Sequence, residues 1–297
     1  VSTGSVVIVP FGNRNLPGIV MGPGEGDVAE EKLRSLKELA HIPPLSASVL
    51  SFMQRFADWT MSPLGSVVKM VLSQPAVLAP PVIQKKFFRP KTIPDDQRMT
   101  AARQRVFSAL ADKTKLTAKE ISVAANVSHS VVIGMVEKGL LAVDHMEVDQ
   151  LETMPRYSMA ELALTSSQAA IAAKLSGMVG QGFSTTLLDG VTGSGKTEVY
   201  FQAVKKALQA GQQVLILLPE IALSAAWRNR FTARFGVPPI EWHSDISNSQ
   251  KRLAWRSVHT GKLSVVVGAR SALFLPFHNL GLIIVDEEHE HGFKQEE

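Results

Sequence analysis

The chain has 297 residues, of which 45% are hydrophobic, and this length is enough for one large or two to three small hydrophobic cores. It contains no cysteine, which excludes disulfides and thiolate metal sites and fits a reducing cytoplasm. Its 31 basic and 27 acidic side chains leave a net charge of +4, so overall charge neither requires nor excludes a nucleic-acid partner.

The sequence carries no membrane or secretion signal. No apolar run approaches the roughly 20 residues needed to cross a bilayer, and no charged-then-apolar leader opens the chain. We therefore expect a soluble protein. Because the chain begins at Val1 rather than at a methionine, and a strand-like run follows almost at once, we expect it to be a fragment of a longer protein.

Residues 1–75 begin with short β-type runs and continue with helical patterns. Alternating or β-branched residues predict strands at residues 6–9 and 18–21, with a long connection between them. Apolar residues at helical spacing then predict helices over residues 30–40 and 47–60. We interpret this region as a small β-rich domain.

Prolines at five positions between residues 75 and 94 indicate a linker, which we place at residues 76–94. Residues 85–105 carry seven basic side chains against two acidic ones, and they include Phe87 and Phe88. Such a stretch is suited to binding DNA, with bases stacked on the two rings. A solvated linker with two docked phenylalanines fits the same residues.

Residues 95–150 have the pattern of a winged helix. A helix is predicted over residues 98–111, and Thr117 with Glu120 forms a capping box for the next helix. A tight turn, a third helix over residues 129–138 and a strand over residues 140–143 follow. The third helix contains no arginine, asparagine or glutamine, so we favour packing or phosphate contact over the reading of base sequence.

Residues 190–197 read Gly-Val-Thr-Gly-Ser-Gly-Lys-Thr and form a complete phosphate-binding loop. An apolar run over residues 183–188 predicts a buried strand before it, and residues 198–210 predict a helix after it. Its glycines let backbone N–H groups curl around a phosphate, the lysine reaches the outer phosphates and the last hydroxyl binds Mg²⁺. The predicted ATP-binding residues of the loop are Gly190, Val191, Thr192, Gly193, Ser194, Gly195, Lys196 and Thr197.

An acidic cluster follows a second apolar run, at residues 282–285, which predicts a strand of a parallel sheet. Asp286 comes at its carboxyl end, where ligands bind in open α/β sheets. We expect Asp286 to hold Mg²⁺ with Thr197 and Glu287 to polarise the attacking water, so that Lys196, Asp286 and Glu287 are the catalytic candidates. An acidic cluster in a solvated loop is the alternative, which the upstream phosphate loop disfavours.

Several longer strings resemble one family of proteins in their order and spacing. These strings are residues 190–200, 218–223, 243–244, 267–274 and 279–289, with looser agreement at residues 9–12 and 18–20. They resemble the primosomal protein N′ (PriA) family of replication-restart DNA helicases in superfamily 2. The resemblance extends from the front of the chain to the acidic cluster and is most specific in the ATPase segment.

The resemblance implies a multidomain α+β and α/β fold. Its parts would be a 3′ DNA-end-binding β-rich domain at residues 1–75, a winged helix at residues 95–150 and the first RecA-like parallel α/β lobe of a helicase at residues 151–297. The implied activity is ATP-dependent 3′ to 5′ unwinding at stalled or branched forks, leading to primosome assembly. Implied partners are forked or single-stranded DNA, primosome proteins and single-strand-binding proteins, for a cytoplasmic, nucleoid-associated monomer without membrane contact.

The resemblance also assigns roles to single residues. Gln168, in a Leu-Thr-x-x-Gln pattern, would read the adenine of ATP, although an ordinary helix-start glutamine fits that position too. Gly12 would form part of the pocket for a DNA 3′ end. Pro219, Glu220, Arg270 and Ser271 would grip single-stranded DNA, with a structural ion pair as the alternative role for Arg270. His289 would couple the nucleotide site to DNA or to the second lobe.

The chain departs from the family pattern in two respects. It contains neither the second lobe, with its arginine for the γ-phosphate, nor the cysteine cluster that binds zinc. We therefore expect ATP and Mg²⁺ as ligands here, zinc only in a missing C-terminal part, and weak hydrolysis by this fragment. Two alternatives stay open: another superfamily 2 DNA translocase, or a nucleotide-gated winged-helix regulator without turnover.

Overall fold

The computed structural model describes residues 1–24, 26, 28–80, 83–93, 98–110, 115–147, 163–191, 193–219 and 224–289. The chain divides into two units, of which the first combines Val1–Pro80 with Asp149–Glu297 and the second is Pro81–Val148. Within the described ranges, no helix is both long enough and apolar enough to cross a membrane.

A three-stranded antiparallel sheet opens the first unit. Strand β1 (Val6–Phe11) lies between β2 (Arg14–Ile19) and β3 (Glu38–Leu39). The β1–β2 hairpin turns through two residues, and Gly12 there has a φ of 58°, which glycine adopts without the steric cost of a side chain. Because this turn is so short, the second strand lies earlier in the chain than the predicted residues 18–21.

The predicted helix over residues 30–40 is wrong. That stretch contains a short 3₁₀ helix (Glu30–Lys32) and then β3. Lys37 N donates to Ile8 O and Ala40 N donates to Val6 O, both at 2.9 Å, so the segment is held against β1. Pairing with a distant strand thus overrides the local helix preference.

Two helices complete the region that we call the N-terminal module (residues 1–80). Helix α1 (Ala47–Thr60) has the predicted bounds, and α2 (Leu64–Val71) follows it. The Ser46 hydroxyl caps α1 by accepting from Val49 N at 3.4 Å. A 3₁₀ helix (Pro75–Leu78) follows α2.

The described part of the second unit contains three helices and a two-stranded antiparallel sheet. The helices are α3 (Ala101–Ala109), α4 (Ala118–Ala125) and α5 (His129–Glu137), and the strands are β4 (Ile83–Phe88) and β5 (Ala142–Glu147). The capping box of Thr117 and Glu120 is confirmed at the start of α4. The name winged helix stays a prediction for this arrangement.

The described parts of the segment predicted as a linker, residues 76–80 and 83–93, contain regular structure. Part of the 3₁₀ helix Pro75–Leu78 falls in it, and β4 pairs with β5 along six residues. The prolines do not prevent this pairing, because all five lie outside β4.

The rest of the first unit is built on a four-stranded parallel sheet, in the part that we call the parallel-sheet module (described from residue 163 to residue 289). Its strands are β6 (Gln213–Leu217), β7 (Ile240–Trp242), β8 (Val265–Gly268) and β9 (Leu280–Val285). Their order is β7-β8-β6-β9, and all neighbours are parallel. The helices of the module are α6 (Ser166–Met178), α7 (Lys196–Gln209), α8 (Ala225–Phe235) and α9 (Asn248–His259).

The predicted strand over residues 183–188 is wrong, because the described chain has no strand there. The side chains of Phe183 and Leu187 are 99% and 78% exposed. Strand β9 lies at an edge of the sheet and leaves Ile283 and Val285 about half exposed. The composition of residues 183–188 suits a strand, but a strand forms only where a neighbouring strand hydrogen-bonds its backbone N–H and C=O groups.

Two apolar clusters cover the two faces of the parallel sheet. Val214 and Ile216 of β6 belong to one cluster with Phe201 of α7, whereas Leu215 and Leu217 belong to the other. This alternation follows from the two-residue period of a strand. The second cluster also contains residues of α1 and α2, so the N-terminal and parallel-sheet modules share one core.

Candidate nucleotide site and DNA-contacting segments

The predicted phosphate-binding loop ends at the N-terminus of α7. Gly195 is the residue before the helix, and Lys196 and Thr197 begin its first turn. Gly193 and Gly195 have φ values of 81° and 85°, a region that residues with side chains rarely adopt. The first N–H groups of a helix lack intrahelical partners and, with the helix dipole, attract phosphate. Thr192 lies outside the described residues.

The loop is folded tightly on itself. A Cβ atom added to Gly190 would lie 2.8 Å from Ser194 Oγ, so a side chain at this position would require the Ser194 hydroxyl to move. Ser194 N donates to Val191 O at 3.1 Å and closes a turn, while the Val191 side chain is 79% exposed. Lys196 Nζ donates to Gly190 O at 2.6 Å, so its ammonium lies across the loop.

Gln168 connects the start of α6 to this loop. Its Oε1 accepts from Thr165 N at 2.9 Å, and its Nε2 donates to Ser194 O at 2.9 Å. The first bond belongs to a capping box, as the helix-start interpretation predicts. An amide has two N–H donors and two acceptor lone pairs, so Gln168 keeps capacity for an adenine contact, which stays a prediction.

Asp286 directly follows β9, at the carboxyl end of the parallel sheet. Asp286 N donates to Leu217 O at 3.0 Å and thereby extends the β9–β6 pairing by one residue. Its Oδ2 accepts from the Tyr200 hydroxyl at 2.8 Å, and the Tyr200 oxygen accepts from Trp227 Nε1 at 3.1 Å. Tyr200 lies about one helical turn after Thr197 on α7. These bonds join the end of β9 to the helix that begins at the loop.

Tyr200 is buried, and its surroundings keep it protonated. Burial and the charge of Asp286 raise the pKa of Tyr200 well above its ordinary value of 10. Hydrogen bonds from Trp227 and Thr197 to the same oxygen act in the opposite direction but are outweighed. The hydroxyl is therefore a hydrogen-bond donor to Asp286 at any physiological pH.

Glu287 has an uncommon backbone conformation for a residue with a side chain. Its φ is 51°, in the left-handed region, and its N–H donates to Asp286 Oδ1 at 3.1 Å. Its Oε2 lies 3.4 Å from His289 Nε2, and the two side chains are 39% and 69% exposed. Sparsely populated backbone conformations are frequent at functional sites.

The predicted DNA contacts in the parallel-sheet module follow two of its central strands. Arg270 and Ser271 are exposed and begin a 3₁₀ helix (Arg270–Phe274) shortly after β8. Pro219 comes shortly after β6, whereas Glu220 lies outside the described residues. Because β6, β8 and β9 are parallel, these segments leave the sheet at the same edge as the acidic cluster.

The 3₁₀ helix Arg270–Phe274 also contacts the N-terminal module. The Phe274 ring centroid lies 5.9 Å from that of Phe52 and 5.1 Å from that of Phe56, both on α1. Gly12, the predicted contact of a DNA 3′ end, lies in the same module at the exposed β1–β2 turn. The predicted DNA contacts are therefore distributed over both modules of the first unit.

The roles of Tyr200 and Trp227 are not evident from the sequence. The helical pattern places Tyr200 on the apolar face of α7. Its further signals are its position three residues after Thr197 and its place at the end of the family-like string 190–200. No sequence pattern points to a role for Trp227 at the site, because it lies on a different helix, 27 residues after Tyr200 in the chain.

Comparison with known proteins gives matches for both modules. A model of the DEAD/DEAH box helicases matches residues 165–297, and a model of the 3′ DNA-binding domain (3′BD) matches residues 1–73. The replication restart protein PriA of Haemophilus influenzae is 30% identical over 306 residues, which cover 99% of this chain and 42% of that protein. The PriA of Bacillus subtilis is 29% identical over an aligned length of 374 residues, and the alignment covers 100% of this chain and 46% of that protein. The chain belongs to the PriA family of replication restart proteins.

The match to the PriA family is strongest over a shorter stretch. PriA of Rickettsia typhi is 57% identical over 112 residues, which cover 38% of this chain and 17% of that protein. The chain thus spans less than half the length of these three PriA relatives. The 3′BD match covers the sheet and both α-helices of the N-terminal module, and the helicase match begins at the N-cap of α6.

Proposed function

We propose that this chain binds ATP and DNA as part of a PriA-type helicase, in which ATP hydrolysis drives 3′ to 5′ movement along DNA during replication restart. The observation that carries the proposal is the bond of 2.8 Å between Tyr200 and Asp286, because it joins the helix of the phosphate loop to the acidic end of β9. Two comparisons support the proposal: residues 165–297 match the DEAD/DEAH box helicases, and residues 1–73 match the 3′BD.

The residues present fit a magnesium nucleotide. A hydroxyl (Thr197) and a carboxylate (Asp286) are oxygen ligands of the kind that Mg²⁺ prefers. Asp286 hydrogen-bonds Tyr200, which lies about one helical turn after Thr197 on α7. When bound, Mg²⁺ neutralises negative charge on the phosphates. In this proposal Lys196 and the first turn of α7 bind the phosphates, Gln168 reads the adenine, and Glu287 orients the attacking water and accepts its proton.

The DNA-binding part of the proposal uses the segments at the same edge of the sheet. Arg270 would bind a phosphate of single-stranded DNA, and the segments that carry Ser271, Pro219 and Glu220 would contact the same strand. Gly12 would contribute to binding the 3′ end of a strand, and His289 would couple nucleotide and DNA sites. Forked DNA, primosome proteins and single-strand-binding proteins are the partners that this function requires.

Replacing Lys196 with alanine tests the nucleotide assignment. In a protein of the relatives' full length that contains this chain, Lys196→Ala should lower DNA-stimulated phosphate release by about 100-fold or more, because a preorganised charge on the transferred phosphoryl group is lost. Lys206→Ala is the matched control, since Lys206 is exposed near the end of the same helix. Unchanged turnover in Lys196→Ala would reject the assignment.

A further inference from the structure

We infer that Tyr200 is a positioning residue for the metal ion of this site. Its hydroxyl would hold the Asp286 carboxylate beside Thr197 and thereby set the affinity of the site for Mg²⁺. This inference rests on the proposed ATP-binding function and adds to it a residue outside the phosphate loop and the acidic cluster.

The direction of the hydrogen bonds in this network is fixed by chemistry. An indole N–H can only donate and an ionised carboxylate can only accept, whereas a phenol can do both. The chain of bonds therefore runs from Trp227 Nε1 to the Tyr200 oxygen at 3.1 Å, and from the Tyr200 hydroxyl to Asp286 Oδ2 at 2.8 Å. With Trp227 bound to its oxygen, the Tyr200 proton is directed to Asp286.

Burial makes this network rigid. Tyr200 and Trp227 are only 6% and 8% exposed, and the Phe201 ring packs edge-on against both, at centroid distances of 5.2 Å and 5.9 Å. Trp227 also stacks on Phe231 at 5.5 Å. Packing on this scale holds both rings in place, so Tyr200 has little freedom to release Asp286.

Asp286 is held at both oxygens and keeps acceptor capacity at each. Oδ2 accepts from Tyr200, and Oδ1 accepts from Glu287 N at 3.1 Å. Because an ionised carboxylate has about four lone-pair sites, two protein donors leave the others for a cation. Removing a partner that orients a metal ligand typically costs about 10- to 100-fold in metal affinity.

The substitution Tyr200→Phe removes one oxygen and leaves the ring. In the 297-residue chain, the Mg²⁺ concentration that half-saturates tight binding of a fluorescent ATP analogue should rise by about 10-fold or more. The affinity for the same analogue in EDTA should not change, because the phosphate loop is intact. Mn²⁺ binding to the chain with the analogue, measured by electron paramagnetic resonance, should weaken by a similar factor.

Phe235→Leu is the matched control, because Phe235 packs against Phe201 in the same buried cluster, at a centroid distance of 5.3 Å, but contributes no hydrogen bond to the network. It should lower thermal stability without shifting the Mg²⁺ midpoint. Equal shifts in both variants would overturn the inference, since Tyr200 would then act only through packing. If Tyr200→Phe keeps the Mg²⁺ midpoint of the unaltered chain, the inference about Tyr200 is overturned and the proposed function is not affected. If the unaltered chain binds no nucleotide, both the inference and the proposed function are overturned.

Discussion

Asp286 and Glu287 are adjacent in the chain, but their carboxylates have different surroundings. Both oxygens of Asp286 accept protein hydrogen bonds, from the Tyr200 hydroxyl and from Glu287 N. The Glu287 carboxylate is 39% exposed and faces His289 at 3.4 Å. A carboxylate that is held at both oxygens suits a metal ligand, whereas a partly exposed one can reach a water molecule. The structure therefore supports different roles for the two residues.

Replacing Glu287 with glutamine separates these roles. Glu287→Gln should leave Mg²⁺-dependent ATP binding close to wild type and lower hydrolysis by about 10²- to 10⁴-fold, because an amide cannot accept the proton of the attacking water. Asp286→Asn is the contrasting variant, and it should weaken Mg²⁺-dependent binding itself. Nucleotide titration and phosphate release together measure both effects. Loss of binding in Glu287→Gln would contradict its role towards water.

Helix α9 attaches the N-terminal module to the parallel sheet. Trp255 Nε1 donates to Val71 O at 3.0 Å, and an Arg256 N–H donates to Val77 O at 2.7 Å. His259 Nε2 lies 2.8 Å from Pro43 O, to which its N–H donates. All three side chains are buried, so their donors satisfy carbonyls that water does not reach easily. One helix thus holds three separate segments of the module.

The bond from His259 predicts a pH dependence of stability. Burial lowers the pKa of His259 below its ordinary value of 6.5, with smaller contributions in the same direction from His278 and Arg256, while bonds to the Pro43 and Pro276 carbonyls oppose them. The folded chain therefore keeps His259 neutral at a pH where the unfolded chain already binds a proton. The free energy of unfolding should be highest above pH 6.5 and should decrease as the pH falls below it.

Urea unfolding at a series of pH values checks this expectation. His259→Gln should flatten the decrease, because glutamine can donate to Pro43 O but does not titrate. His41→Gln, at an exposed histidine of the N-terminal module, should keep the wild-type dependence. An unchanged slope in His259→Gln would show that other groups control acid sensitivity.

The shared core makes the N-terminal and parallel-sheet modules one folding unit. Met53 and Val67 of the first module belong to the same buried cluster as Leu215 and Trp255 of the second. Phe274, in the segment that carries Arg270, packs against α1. Close-packed cores resist deformation, so the two modules that share this core keep a fixed arrangement. DNA bound to one module would therefore reach the other only in certain orientations. As part of the proposed function, we therefore predict tighter binding to a branched or 3′-tailed substrate than to plain duplex.

Binding to fork, 3′-tailed and duplex DNA, measured by fluorescence anisotropy at several salt concentrations, tests that preference. Fork and 3′-tailed DNA should bind more tightly than duplex. Arg270→Ala should weaken binding to all three and reduce the slope of log affinity against log salt by about one. Lys206→Ala should leave the slope unchanged. No preference for a branch would favour another superfamily 2 translocase, and sequence-specific duplex binding without ATP turnover would favour a nucleotide-gated regulator.

Local chemistry allowed much of the site to be predicted from the sequence. Four features depend on neighbours within a few residues: the glycine-rich loop, the strand before Asp286, the capping box of Thr117 and helix α7, which begins at Lys196, two residues before its predicted start. Such short-range preferences of the backbone are readable from residue type and spacing. The bounds of α1 were predictable for the same reason.

Other features were decided only by the tertiary structure. Residues 38–39, predicted as helix, form a strand because β1 offers a partner, and residues 183–188 form no strand although their composition suits one. The bond between Tyr200 and Asp286 joins positions 86 residues apart, and Trp227 reaches it from a third element. The sequence by itself determined the chemistry of the phosphate loop and the acidic cluster. Only folding decided what holds Asp286 in place, because strand pairing and buried hydrogen bonds depend on contacts between distant parts of the chain.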